Sequence, residues 1–95
     1  MQNIMAELKV KGGKLVRVRI ACEENIVFHI EITGDFFIHP EEGLDGIEHV
    51  LVGLRLPVSE GEVERLVNEV VTKGNIKMMG FSPRDLAMLV AGALA

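Results

Sequence analysis

Cys22, three histidines, a pair of glutamates, a pair of glycines and a pair of phenylalanines are the residues of this 95-residue chain that could carry chemistry or recognition. Imidazole and thiolate are the common zinc ligands, so His29, His39, His49 and Cys22 come first. The histidines fall on a predicted strand, a loop and a helix at no ligand-like spacing, and no metal site is expected. Cys22 could act as a nucleophile or sulfur carrier. Its position in the strand pattern turns it inward, where a thiol behaves as a small apolar side chain. Glu41-Glu42 could form a catalytic carboxylate pair, but two acids at the positive end of a helix are the simpler reading. No Ser-His-Asp arrangement can be argued, so no catalytic residue is assigned.

Gly12-Gly13-Lys14 has the residue types of a phosphate loop. It lacks the full G-x-x-x-x-G-K-[ST] pattern and joins strand to strand rather than strand to helix. It reads as a hairpin turn with an exposed lysine, which could still reach an anionic ligand held by another chain. Phe36-Phe37 is the other unusual pair, in a chain with four Phe and no Trp or Tyr. If the preceding strand continues that far, Phe36 points inward and Phe37 outward. An exposed Phe37 beside Ile38 and Pro40 suggests a binding surface, the alternative being burial under the helices.

The elements that position these residues follow from periodicity. The first third alternates with period two, and the rest is helical in period. Strands are predicted over 5–11, 14–22 and 25–33, with apolar residues on even positions and charged or polar ones favouring odd positions. One buried face and one wet face give this pattern. A three-residue turn, Lys11-Gly12-Gly13, keeps the faces in register, with Gly13 left-handed. A second turn of the same length, Glu23-Glu24-Asn25, would pair Cys22 with Ile26, turn Ile26 and Phe28 inward, set Arg19 opposite His29, and align Glu7, Arg17 and Glu31.

Pro40 is the predicted first residue of a helix carrying Leu44, Ile47, Leu51 and Leu54. Ser59 and Glu62 suggest a capping box for a second helix, with Val63, Leu66, Val67, Val70 and Val71 inward and Gly74 at its end. Residues 76–79 read as extended. Ser82 and Pro83 open a third helix through Leu86, Leu89, Val90 and Leu94. Strands first and helices after imply an α+β fold, a three-stranded antiparallel meander with three helices packed on one face.

The bulk numbers bound the rest. A length of 95 residues makes one domain over 1–95, and 48% apolar residues can bury a core. A net charge of −4 and the lack of spread aromatics argue against nucleic acid. No apolar run would span a bilayer, no signal peptide is visible, and a single cysteine forms no internal disulfide, so a cytoplasmic protein is expected.

Two runs carry a resemblance. Gly12-Gly13-Lys14-Leu15-Val16-Arg17-Val18 and Gly34-Asp35-Phe36-Phe37-Ile38-His39-Pro40-Glu41-Glu42 are similar to runs of the lipoate–protein ligase C-terminal domain. The similarity covers nearly the whole chain, including the helix after Ser82-Pro83-Arg84-Asp85-Leu86. Lys11 stands where that family often has proline. The resemblance implies a fold like that of sulfur-transfer and iron–sulfur scaffold proteins. It further implies a non-catalytic accessory subunit of the two-part ligase found in some archaea, with no activity alone. The expected partner is the large catalytic subunit, in a heterodimer, and lipoyl-domain proteins are reached only indirectly. No cofactor is expected on this chain, while the complex uses ATP, magnesium and lipoate. The partner interface is expected at Gly12, Gly13, Lys14, Gly34, Asp35, Phe37, Ile38, His39 and Pro40. Two other readings are a sulfur-trafficking or iron–sulfur scaffold protein, which needs an exposed reactive Cys22, and a homo-oligomerising domain.

Overall fold

The alternating third of the sequence becomes a sheet and the rest a helical layer in the computed structural model, which describes residues 1–95. Strands β1 (Gln2–Val10), β2 (Lys14–Glu23) and β3 (Ile26–Gly34) form an antiparallel meander in the order β1-β2-β3. Then follow β4 (Phe37–His39), α1 (Gly43–Leu51), α2 (Glu60–Lys73), β5 (Lys77–Met79) and α3 (Pro83–Ala93). The fold is α+β, as the pattern predicts. α1 packs on β3, α3 packs on β1 and β2, and α2 lies against both other helices.

The even positions of β2 explain the core. Val16, Val18, Ile20 and Cys22 are all buried and meet Ile30 and Ile32 of β3, Ile47 and Leu51 of α1, Val63 and Val67 of α2, and Leu86 and Val90 of α3. Burying each such aliphatic side chain contributes about 1.5–3 kcal/mol before entropy is counted. On β1, Ile4, Ala6, Leu8 and Val10 are only half-buried, because β1 is an edge of the sheet.

The first hairpin has the predicted register, with Val10 opposite Lys14 and Leu8 opposite Val16. Both glycines of its turn are left-handed, Gly12 at φ +100° and Gly13 at φ +89°. The second hairpin departs from expectation. Its turn is the two-residue Glu24-Asn25, with φ of 52° and 64°, so Glu23 pairs with Ile26 and Cys22 with Val27. Left-handed residues at both positions match the twist of the flanking strands. A two-residue turn alone would put the two strands on opposite faces. A β-bulge restores the parity: Phe28 and His29 together oppose Ala21. Val27, not Ile26 or Phe28, therefore enters the core, and Phe28 points out at 60% exposure. Arg19 stands opposite Glu31 rather than His29, and Glu7 and Arg17 align with Thr33 rather than Glu31.

The open edge of β3 is partly closed by the segment after α1. The Val27 N–H donates to the Leu54 carbonyl at 2.8 Å and the Gly53 N–H to the Val27 carbonyl at 2.8 Å. Farther along, the Ile32 N–H donates to the Glu48 carboxylate at 2.8 Å. Burial pushes the Glu48 carboxyl up, the Ile32 hydrogen bond opposes this, Asp45 and Glu31 push it further up, and His29 opposes. A raised folded-state value means that the native protein holds this proton more tightly than the unfolded chain does. The resulting stability is complete below the ordinary glutamate range of about pH 4 and is lost as pH rises through the raised value. Glu48→Gln keeps an acceptor for Ile32 and removes the charge. The variant is expected to gain stability relative to the parent between pH 4 and pH 7, read as the difference in urea midpoints at the two pH values.

The helix ends refine the sequence expectations. Pro40 does not begin α1; residues 40–42 form a turn, with the Gly43 N–H donating to the Pro40 carbonyl at 2.9 Å, and the helix starts at Gly43. The first-turn acid is accordingly Asp45 rather than Glu41 or Glu42. Ser59 caps α2 by accepting from the Glu62 N–H at 3.1 Å, without the reciprocal bond from Glu62. The α2 cap is Gly74 in a right-handed conformation, and the left-handed residue is the next one, Asn75, at φ +50°. The full capping box is at α3, where Ser82 and Asp85 each accept from the other's backbone N–H.

Candidate functional site

One end of the sheet brings the two sequence runs together. Where β3 ends, Gly34 pairs with Val16, and the Asp35 N–H donates to the Leu15 carbonyl at 2.8 Å. The chain leaving β3 is thus held against the start of β2, beside the first hairpin turn. Between them lies an open concavity of about 480 Å³ lined by Gly12, Gly13, Lys14, Gly34, Asp35, Phe36 and Phe37.

Gly34 makes the close approach possible. Its φ is +149°, and a Cβ there would overlap the Leu15 carbonyl oxygen and sit 3.0 Å from Val16 Cα. Only glycine takes such a conformation without strain.

Behind the concavity, Phe36 is half-buried and stacks on Phe81, with ring centroids 4.3 Å apart and planes tilted by 31°. Phe37 turns the other way and is 71% exposed. It lies on a two-stranded ribbon formed by β4 and β5, in which Phe37 pairs with Met79, Ile38 with Met78 and His39 with Lys77. Met79 is 49% exposed, so two large apolar side chains stand next to each other in solvent. Sequence reasoning missed Met79; only the extended tendency of residues 76–79 pointed toward it.

Six of the nine residues expected at the interface, Gly12, Gly13, Lys14, Gly34, Asp35 and Phe37, line this concavity. Ile38, His39 and Pro40 do not. Ile38 is half-buried against the core, and His39 and Pro40 are exposed farther along toward α1. The ion pairs of the protein are Glu7–Arg17, Arg19–Glu31 and Arg65–Glu69, so Lys14 and Asp35 face solvent with no intramolecular partner. A surface with one free cation, one free anion and an exposed Phe–Met pair suits a protein partner better than a small anion.

The remaining reactive side chains lie elsewhere. His29, His39 and His49 are exposed on β3, β4 and α1, and no three His, Cys, Asp or Glu side chains gather in a group that could hold a metal. Cys22 is 3% exposed, and burial pushes its thiol above the ordinary range. The thiolate, the reactive form, is disfavoured there. A maleimide reagent is expected to leave the native chain unlabelled over a time in which the urea-unfolded chain labels completely, a difference read by mass. No helix is long and apolar enough to cross a membrane.

No family model and no curated protein matches the sequence. The fold is similar to a solved chain from a structural analysis of an archaeal lipoylation system, comprising a bi-partite lipoate protein ligase and its E2 lipoyl domain from Thermoplasma acidophilum. The similarity has a TM-score of 0.74 at 24% identity and covers 92% of each chain. At that identity the likeness is one of fold, the same sheet-and-helix arrangement shared over nearly the full length of two chains of similar size.

Proposed function

We propose that this protein is the non-catalytic accessory subunit of a two-part lipoate–protein ligase. It would act with a large catalytic subunit in the ATP- and magnesium-dependent activation of lipoate to lipoyl-AMP, before transfer to a lysine of a lipoyl domain. The observation that carries this reading is the fold shared over 92% of both chains with a member of a bi-partite lipoate protein ligase system. The concavity adds support, because it joins the two runs that resemble the accessory domain of such ligases.

In this reading the chain contributes contact rather than chemistry, and its surface supports such a role. Phe37 and Met79 are held out by a ribbon that Phe36 and Phe81 back from behind. Docked beside an adenylate pocket, such a surface orders the partner's loops and lets binding energy go into positioning lipoate against the α-phosphate of ATP. Lys14 and Asp35 each find an opposite charge on the partner.

The test is lipoyl-AMP formation by the large subunit with and without this chain, followed by intact mass of the chain. Activity that appears only on addition supports the accessory role. Equal activity of the large subunit alone removes it. A gain of one lipoyl group on this chain would instead make it an acceptor. A sulfur-trafficking role is disfavoured by the burial of Cys22.

A further inference from the structure

We propose that β1 pairs with β1 of a second copy of this chain, antiparallel and centred on Leu8, joining two three-stranded sheets into one of six strands.

The backbone of β1 has a free side. The Val10 carbonyl accepts from the Gly13 N–H at 2.9 Å, so Val10 directs its backbone groups toward β2. Backbone direction alternates along an antiparallel strand, so the even residues of β1 face β2 and Asn3, Met5, Glu7 and Lys9 point their N–H and C=O groups off the edge of the sheet. The sheet ends at β1, and α3 covers only its inner face. The opposite edge is treated differently: Gly53, Leu54 and the Glu48 carboxylate bond to β3. Edge strands are commonly blunted by charged side chains, proline, a bulge or short length, and of these β1 carries only the charges of Glu7 and Lys9, which are opposite in sign. β1 has nine residues, no proline and an unbroken register with β2.

The side chains select both the occupant and the register. Two-fold pairing that keeps inward residues on one face can be centred on Ala6, Glu7 or Leu8. Centring on Glu7 sets that carboxylate against its own copy, which is repulsive. Centring on Ala6 sets Glu7 against Met5 and Lys9 against Asn3, which leaves both charges without a partner across the junction. Centring on Leu8 sets Glu7 against Lys9 of the other copy, twice by symmetry. On the inner face, Leu8 then meets Leu8, and Ala6 meets Val10. All three are half-buried in the single chain and become covered. A strand whose charges complement themselves in antiparallel is suited to a second copy of itself.

The experiment is sedimentation equilibrium of the isolated chain, without any ligase subunit, so its outcome is independent of the lipoyl-AMP assay. The mass is expected to rise from 10.4 kDa toward twice that value as concentration rises to about 1 mM. Glu7→Lys and Lys9→Glu are each expected to weaken self-association by about tenfold or more, since each replaces two attractions with two repulsions. An equimolar mixture of the two variants should recover a dimer, as each supplies the charge the other lacks. Lys9 is exposed and outside every ion pair of the fold, so Lys9→Glu is expected to remain folded, with thermal unfolding as the check. A mass that stays at 10.4 kDa throughout, or a dimer indifferent to both reversals, overturns the proposal.

Discussion

Gly34→Ala is expected to lower stability by about 3 kcal/mol, seen as a shift of the urea midpoint at unchanged m-value. Two costs add. At φ +149° any Cβ is strained, by about 1–3 kcal/mol. That Cβ also falls on the Leu15 carbonyl oxygen, and backbone atoms of the central strand cannot step aside as a flexible side chain would. Relief requires β3 to draw away from β2, which breaks the hydrogen bond from the Asp35 N–H to Leu15 and loosens the Phe36–Phe81 stack. Gly12→Ala is the control. Its φ is +100° but nothing lies within 4 Å of the added methyl, so only the conformational cost of about 1–2 kcal/mol applies. Equal losses in the two variants would show that the close approach at Leu15 contributes nothing.

Phe37→Ala is expected to weaken the proposed pairing with a large ligase subunit by about thirtyfold, the scale of a central aromatic anchor worth about 2 kcal/mol. The folding stability of the chain should change by no more than about 0.5 kcal/mol, because the ring is 71% exposed and touches little within its own chain. The neighbouring residue separates the two effects. Phe36→Ala removes the stack on Phe81 and is expected to destabilise the fold itself. Calorimetric titration of the large subunit, with thermal unfolding of each variant alone, measures both quantities. An unchanged affinity for Phe37→Ala would move the interface elsewhere on the molecule.

Parity along β2 and the length of the first turn were legible in the sequence, because one buried face leaves few ways to satisfy period two. The second turn was not. A two-residue turn and a bulge have cancelling effects on parity, so the pattern beyond Ile30 reads the same with or without both. Asn25 marks a left-handed residue by type, but nothing marks Glu24, which is left-handed as well. The price of that blind spot was Phe28, assigned to the core and found outside it.

The ribbon was harder still. β4 and β5 are three residues each and are separated by two helices, so neither carries enough period to show its partner. The start of α1 was misread because proline at a first helical turn is a strong local signal, while the turn over residues 40–42 answers to its place between β4 and α1. At the candidate site, Phe37 could be placed outward by alternation with Phe36. The gathering of Gly12, Gly13, Lys14 and Asp35 around it depends on the approach of Gly34 to Leu15, a contact between residues remote in the chain.

The pairing of Phe36 with Phe81 also orders events during synthesis. The three strands of the main sheet and the glycine turn are complete once residue 34 has left the ribosome. The apolar ribbon cannot form until residues 77–81 have followed. A chain cut short anywhere in α2 would carry the whole sheet and every residue of the concavity, yet have neither the second strand of the ribbon nor the ring that backs it. If partners dock on Phe37 and Met79 as proposed, recognition would respond to finished copies, and an incomplete chain would be left without a docked partner.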